Sequence, residues 1–148
     1  MYAVNQYGAI AESYDSLFKD EVSIEENNKI ASMLFDVPGI ILDVGCGTGL
    51  LLDILKVPLD EYFGIDSSNE MLEIFRKKHP KYHNLCIPFE MFNLKFMVFN
   101  TIVALFGSAS YIEIEALMDI PKGKNLFLMF YKENYHPVTY ERSGYELE

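Results

Sequence analysis

The stretch ILDVGCGTGL, residues 41–50, decides the fold. An apolar run carries one acid, Asp43, near its end, which predicts a short buried strand over residues 40–44. A tight turn and then a helix over residues 50–55 are predicted to follow. Glycine permits backbone angles closed to other residues and lets a ligand touch the main chain. Three glycines occupy every second position of this turn: Gly45, Gly47 and Gly49.

Strand patterns alternate with helix patterns along the rest of the chain. Two helices come first, over residues 9–18 and from a Ser23 cap to about residue 35. A later helix is capped by Ser67 or Ser68 and closed by Pro80. The alternation predicts an α/β fold, a Rossmann-like, doubly wound, mostly parallel sheet with five clear strands. The remaining predicted elements are strands over 61–65, 82–87, 99–106 and 124–131, and a helix over 112–118.

The length of 148 residues argues for a single domain, 1–148. We divide it into N-terminal helices, 1–36, an α/β core, 37–131, and a short C-terminal tail, 132–148. The tail leaves room for one further strand, over 138–141. A sheet that ends so early leaves an open edge, which predicts a homodimer paired through that edge.

Charge and composition limit the kinds of partner that the protein is expected to bind. There are 12 basic and 22 acidic residues, so the formal net charge is −10, which opposes binding to nucleic-acid phosphates. Two cysteines are too few for a disulfide framework and favour a reducing compartment. No apolar run is long enough to span a membrane, and the N-terminus lacks a signal-peptide pattern. We therefore expect a cytoplasmic protein with neither a nucleic-acid nor a membrane partner.

The spacing of the glycines and the nearby acids selects the ligand. A dinucleotide fingerprint requires a third glycine at position 50, where this chain has Leu50, and no lysine follows the glycines as in a P-loop. Asp43 would oppose a pyrophosphate but would suit a cation. Asp66, at the end of the next strand, can accept both hydroxyls of a ribose. A ligand with a positive charge, a ribose and no phosphate chain is S-adenosylmethionine (SAM).

Four segments resemble the class I SAM-dependent methyltransferases: AESYDSLF, LDVGCGTGLLLDIL, YFGIDSSNEMLEIFRKK and FNTIVALFGSASYI. The resemblance covers residues 7–131 and implies transfer of a methyl group from SAM by in-line displacement. The family's Asn-Pro-Pro-Tyr signature for amino-group substrates is absent after the fourth strand. A small-molecule acceptor is therefore expected. The family's sheet usually has seven strands with a final antiparallel pair, so we expect that pair to be shortened or missing here.

The same resemblance implies which residues hold the methionine end of SAM. Asp43 would act through its side chain, and the glycine turn would act through its main chain. The turn positions implied in cofactor binding are Gly45, Cys46, Gly47 and Gly49.

Roles around the adenosine are implied in the same way. Asp66 would bind the ribose diol, while Ser67 and Met71 would line the adenine. Tyr14 would close over the cofactor, and Glu90 would lie near the adenine amino group. Structural interpretations stay open beside these: a core aromatic for Tyr14, a helix-core residue for Met71 and a solvated loop acid for Glu90.

The end of the fourth strand is implied to face the reacting methyl. Leu105 and Phe106 would lie beneath it, and residues 106–111 would contact the acceptor. Tyr111 and His136 are the candidates for proton transfer, but no catalytic residue can be assigned and no metal-ligand spacing is present. Two other functions remain open: a catalytically silent SAM-binding module or partner subunit, and an NAD(P)-dependent oxidoreductase.

Overall fold

The computed structural model describes residues 21–95, 98–106, 112–121, 124–131 and 145–147. The described helices are α1 (Glu21–Leu34), α2 (Leu50–Ile54), α3 (Asn69–Lys78) and α4 (Ile114–Met118). The described strands are β1 (Ile41–Val44), β2 (Tyr62–Asp66), β3 (His83–Cys86), β4 (Thr101–Ala104), β5 (Asn125–Tyr131) and β6 (Tyr145–Leu147). Two short 3₁₀ turns, Leu59–Glu61 and Phe89–Met91, lie between them.

The strands form one sheet in the order β3-β2-β1-β4-β5-β6. The first five are parallel, which confirms the predicted α/β architecture. β1 lies between β2 and β4, and Ile41 is level with Tyr62 on one side and Thr101 on the other. The strand order changes direction between β1 and β4. In such sheets a crevice opens there, at the carboxyl ends of the strands.

Two apolar clusters cover the two faces of the sheet. Successive residues of β1 alternate between them, since Ile41 belongs to the first cluster and Leu42 to the second. Both faces are therefore buried, as a parallel sheet requires. The first cluster draws on α1, α2 and α3 through Ile30, Leu34, Leu51, Leu72 and Phe75, and the second includes Phe89, Phe92 and Phe99.

Several predicted boundaries were wrong. Ser23 is not the cap of α1, because the helix already includes Glu21 and the Ser23 side chain is fully buried within it. The fourth strand is four residues long rather than the predicted eight. It ends early because Phe106 has a φ of +55°, which extended backbone does not allow. The second strand runs over Tyr62–Asp66 rather than the predicted 61–65.

A strand that was not predicted, β6, lies at Tyr145–Leu147. β6 runs antiparallel to β5, with Met129 level with Leu147 and Tyr131 level with Tyr145. The predicted strand over 138–141 lies outside the described residues. Within the described part of the chain, one three-residue strand thus stands where the family usually has an antiparallel pair, in agreement with the expected shortening.

Candidate functional site

The glycine turn follows β1 at the crevice and is tied to the end of β2 by its own amides. The N–H groups of Gly45 and Cys46 both donate to the carbonyl oxygen of Ile65, at 2.8 and 3.0 Å. The N–H of Gly47 donates to Oδ2 of Asp66 at 2.8 Å. Three successive amides are therefore engaged inside the protein. Phosphate-binding turns instead direct such amides at the ligand.

The three glycines of the turn all adopt left-handed backbone angles, with φ of 69° at Gly45, 57° at Gly47 and 89° at Gly49. A Cβ at Gly47 would lie 3.1 Å from Cε of Met71, the flexible end of a side chain. A Cβ at Gly49 would lie 2.6 Å from Cδ2 of His79. Gly49 is therefore required for packing against the end of α3 as well as for its backbone angle.

Asp66 holds the turn and the start of α3 together. Its Oδ2 accepts from Gly47, and its Oδ1 accepts the N–H of Ser68 at 2.8 Å. Ser68, rather than Ser67, caps α3, because its Oγ accepts the N–H of Met71 at 3.3 Å. Loss of solvation raises the pKa of Asp66, while hydrogen bonds from the main chain at Ser68, Gly47 and Ser67 lower it. Carboxylate oxygens can accept more than one hydrogen bond, so this acid retains capacity for ligand hydroxyls.

Asp43 is a buried carboxyl beneath the turn, only 3% exposed. The phenol of Tyr62 donates to its Oδ2 at 2.6 Å. The pKa of Asp43 is raised to about 7, mainly by burial and also by the charge of Asp66, while the Tyr62 hydrogen bond lowers it. A cation placed here would favour the ionised form and gain a partner in the process.

Cys46 turns its side chain into the first apolar cluster. Burial, followed by the charges of Asp43 and Asp66, raises the pKa of this thiol well above its ordinary value. The thiol therefore stays protonated, which is the inert form. The N–H of Cys46 donates to Ile65, and its carbonyl oxygen accepts the N–H of Gly49 at 2.9 Å, so its expected main-chain contact with the cofactor stays a prediction.

The profile of a methyltransferase domain family matches residues 41–120, more than half of the chain. The chain belongs to this methyltransferase family. The matched region holds the turn, both acids and strands β1 to β4.

Several known proteins are similar to this methyltransferase domain in sequence or in fold. An uncharacterized protein of Methanocaldococcus jannaschii is 30% identical over 115 residues, which covers 74% of this chain and 41% of that protein. Magnesium protoporphyrin IX methyltransferase (ChlM) from Synechocystis PCC 6803 with bound SAM superposes with a TM-score of 0.66 at 15% identity, over 90% of this chain and 76% of that one. The plantazolicin methyltransferase BpumL in complex with SAH gives 0.58 at 19% identity, over 88% and 61%. This chain thus spans less than half of the length of the Methanocaldococcus relative. The two solved structures share the fold of this chain.

Two predicted adenine-lining residues of the methyltransferase domain lie close to Asp66 along the chain. Met71 is buried at 3% exposure in the first turns of α3. Ser67 is half-buried, and its carbonyl oxygen accepts a hydrogen bond from Sγ of Cys86 at 3.8 Å. Cys86 is level with Asp66 in the β2–β3 pair and is exposed. The ends of β2 and β3 therefore bring these residues to one corner of the sheet.

Glu90 of the methyltransferase domain has a structural partner. It lies exposed in the 3₁₀ turn after β3, and its Oε2 accepts the N–H of Glu113 at 3.2 Å. Glu113 directly precedes α4. The carboxylate therefore lies near the N-terminus of that helix, where negative charge is favourable.

The end of β4 in the methyltransferase domain has an unusual backbone. Leu105 is 3% exposed and belongs to the first apolar cluster. Phe106 adopts its φ of +55° while its N–H donates to Sδ of Met129 at 3.2 Å. A left-handed angle at a bulky residue is rare, and such residues concentrate at functional sites. The extended backbone of β4 thus ends before Phe106.

Sequence reasoning missed Tyr62 and Gly64. Both lie on the same face of β2, and Gly64 is level with Asp43. A Cβ at Gly64 would lie 2.9 Å from the Tyr62 hydroxyl oxygen, so the glycine leaves room for the phenol to reach Asp43. The available signal was the spacing Tyr-x-Gly in the strand after a strand-end acid.

Other chemistry-bearing side chains of the methyltransferase domain have structural contacts or lie outside the described ranges. Asp53 of α2 bridges Nζ of Lys78 at 2.6 Å and Nε2 of His79 at 2.9 Å, which ties α2 to the end of α3. Among the residues that the structure describes, no group of three or more His, Cys, Asp or Glu side chains could hold a metal ion. No helix in the described ranges is long and apolar enough to cross a bilayer. The predicted residues outside those ranges are Tyr14, Tyr111 and His136.

Proposed function

We propose that this methyltransferase domain binds SAM and transfers its methyl group to a small-molecule acceptor. The observation that carries the proposal is the pair of acids, Asp43 and Asp66, at the ends of adjacent parallel strands. Between them lies a glycine turn whose first three amides are already hydrogen-bonded within the protein. Such a site suits a cationic nucleoside and disfavours a pyrophosphate.

The donor set fits SAM group by group. Asp43 would meet the ammonium, since a buried carboxyl whose pKa is raised to about 7 gains most from a cationic partner. Asp66 would accept the ribose hydroxyls with the acceptor capacity left on its two oxygens. Main chain of the turn would border the methionine end: Gly45, Cys46, Gly47 and Gly49.

The remaining cofactor contacts are proposed from their place in the fold. Ser67 and Met71 follow Asp66 directly and would border the adenine. Glu90 would accept from the adenine amino group with Oε1, since the N–H of Glu113 donates to its Oε2. Tyr14 would close over the cofactor from the N-terminal segment, and Leu105 would border the sulfonium.

SAM, when bound, supplies a methyl group already activated by the positive sulfur. The protein must therefore mainly align the acceptor with that group and exclude water. Alignment of two reactants in this way lowers the activation barrier of the reaction by about 7–11 kcal/mol. Leu105 and Phe106, at the end of β4, would form the apolar wall that excludes water on the acceptor side.

A small molecule is the acceptor that the charge favours. The net charge of −10 opposes approach of a nucleic-acid backbone. Two proteins of the same fold are named for compounds, magnesium protoporphyrin IX and plantazolicin. We propose the same broad acceptor class here without transferring either compound.

A catalytically silent SAM-binding module is the second candidate. It is favoured by the end of β4, where the described residues Leu105 and Phe106 are apolar and supply no proton acceptor. Incubation with methyl-labelled SAM and a panel of small acceptors separates the two functions. Transfer of label to any acceptor would exclude the silent module.

Calorimetric titration of SAM and of its demethylated product SAH tests the proposal first. We expect binding by the wild type and its collapse in Asp66→Ala, with NAD⁺ as a ligand that does not bind. If the protein binds NAD⁺ but not SAM, the result would favour an NAD(P)-dependent oxidoreductase instead. Absence of all binding would remove the enzyme assignment for this chain.

We further propose a cytoplasmic location and a homodimer through a sheet edge, here β3, which lies at the opposite side of the sheet from the expected C-terminal edge. Among the described strands, β3 pairs with β2 alone, and Leu85 on it is 41% exposed. Exposed strand edges pair readily with a second copy. Sedimentation of the wild type and of Leu85→Lys checks the dimer, because a lysine on the edge should yield monomers.

A further inference from the structure

In the buried pair Tyr62–Asp43, the proposed function uses Asp43 and leaves Tyr62 without a role. The two side chains are 2% and 3% exposed, and the phenol oxygen lies 2.6 Å from the carboxylate. The Tyr62 ring is itself fixed. It stacks on Phe75 with centroids 6.1 Å apart and meets the edge of Tyr82 at 5.5 Å.

We propose that Tyr62 is a positioning residue for the cofactor, whose phenol O–H fixes the Asp43 carboxylate to meet the ammonium group. The inference rests on the proposed function, because it concerns how Asp43 recognises SAM. Tyr62 is not proposed to touch the cofactor or the reacting atoms.

The carboxylates of Asp66 and Asp43 are oriented by different kinds of hydrogen-bond donor. Asp66 accepts main-chain N–H groups from Gly47 and Ser68, so its orientation follows from the backbone. Within the described part of the chain, the side-chain hydrogen bond of Asp43 comes from Tyr62. The orientation of Asp43 therefore depends on one phenol.

The backbone is arranged to let the phenol pass. Asp43 and Gly64 are level in the β1–β2 pair, and Tyr62 lies two residues before Gly64 on the same face. A Cβ at Gly64 would lie 2.9 Å from both the Tyr62 hydroxyl oxygen and Sγ of Cys46. Any side chain at position 64 would push the phenol away from the carboxylate.

The hydrogen bond from Tyr62 also affects the ionisation of Asp43. The described titratable groups that act on the pair are Asp66, at the end of β2, and Cys46, in the turn. Burial raises the pKa of Asp43, and the Tyr62 hydrogen bond lowers it. Loss of the hydroxyl would raise this pKa further, and less of the carboxylate would be ionised at neutral pH. An ammonium group would then find a weaker partner.

The test compares two ligands that differ in the amino-acid part. SAH carries the ammonium, whereas 5′-methylthioadenosine keeps the adenosine and the sulfur but lacks the ammonium. In Tyr62→Phe we expect the Kd of SAH at pH 7 to rise about tenfold to a hundredfold, the range for a hydrogen bond to a charged group. The Kd of 5′-methylthioadenosine should stay unchanged. The pH midpoint of SAH binding should move upward.

Tyr82→Phe is the matched control. The Tyr82 phenol donates to the carbonyl oxygen of Val57, and its ring contacts Tyr62, but its hydroxyl does not reach Asp43. This variant loses a tyrosine hydroxyl from the same cluster and should retain the wild-type ratio of the two affinities. In an Asp43→Asn background, Tyr62→Phe should cause no further loss of SAH affinity.

Specific outcomes would overturn the inference. Equal weakening of both ligands, or an unchanged SAH affinity and pH profile, would make Tyr62 a structural residue. If Tyr62→Phe does not fold, the same ratio is measured on Gly64→Ala, where an unchanged ratio overturns the inference equally. Failure of the wild type to bind either ligand would instead refute the proposed function, so the two failures are distinct.

Discussion

Asp66 accepts a hydrogen bond from the N–H of Gly47, 2.8 Å away, and thereby ties the glycine turn to the end of β2. Its other oxygen accepts from Ser68 at the start of α3. One carboxylate thus joins two segments that face the crevice. The acid that we assign to the ribose also maintains the shape of the site that receives it.

Replacement of Asp66 should therefore affect stability as well as binding. Asp66→Ala leaves two amides without their acceptor, and an unsatisfied buried donor costs about 1–3 kcal/mol. Asp66→Asn retains one acceptor oxygen and should lose less. Urea unfolding in the absence of ligand measures both. Equal stability of Asp66→Ala and the wild type would show that the turn does not depend on this acid.

Asp43 should make stability depend on pH. Its pKa is raised from 3.8 to about 7 in the folded protein. The folded state therefore binds more protons than the unfolded state between these values, and stability falls as pH rises through this window. A pKa difference of this size corresponds to at most about 4 kcal/mol of unfolding free energy.

Asp43→Asn isolates this contribution, because the amide does not titrate. Relative to Asp43→Asn, the unfolding free energy of the wild type should fall between pH 4 and pH 7 and then level off. Urea unfolding across that range measures it. A difference that is constant with pH would contradict the burial of an ionisable Asp43.

Gly49 and Gly47 should respond differently to alanine. Gly49→Ala places a methyl 2.6 Å from the His79 ring at a φ of 89°, whereas Gly47→Ala meets only the flexible end of Met71 at 3.1 Å. We expect Gly49→Ala to destabilise more, beyond the strain of about 1–2 kcal/mol that both share. Thermal unfolding measures the order. His79→Ala added to Gly49→Ala should recover part of the loss, and no recovery would argue against the clash.

The two thiols should differ in reactivity. Cys86 is exposed and Cys46 is buried, so a maleimide should label one thiol in the folded protein. Cys86 donates to the carbonyl of Ser67 beside Asp66, and SAH held there should slow its labelling. Mass spectrometry with Cys86→Ser as control follows the reaction. Full-rate labelling of Cys86 at saturating SAH would place the adenosine elsewhere.

Local patterns made the first half of the site predictable. The apolar run, the glycines and the spaced acid lie within one strand-turn-helix-strand unit, where short-range signals dominate. Strand order was not readable, because the pairing of β1 with β4 joins residues distant in sequence, such as Ile41 and Thr101. The hydrogen bond between Tyr62 and Asp43 was missed for a related reason, since only the register of two strands brings them together.

Backbone detail also escaped prediction. The apolar residues before Phe106 are typical of a strand, and nothing in them signals a left-handed angle. The start of α1 was misplaced because Ser23 has the properties of a cap yet lies buried within the helix. The assigned cofactor roles of the site residues stay predictions that the experiments above address.

The strand order also has a consequence for how the domain assembles. The contacts Asp43–Tyr62 and Gly47–Asp66 each close a loop of 19 positions, whereas the contact between Ile40 and Asn100 beside β4 closes one of 60. The longer closure costs about 1 kcal/mol more in chain entropy. Synthesis from the N-terminus also delivers β1 and β2 before β4. The glycine turn and its two acids are thus a local unit that can form first, and the slower long-range pairing of β4 completes the sheet beside it.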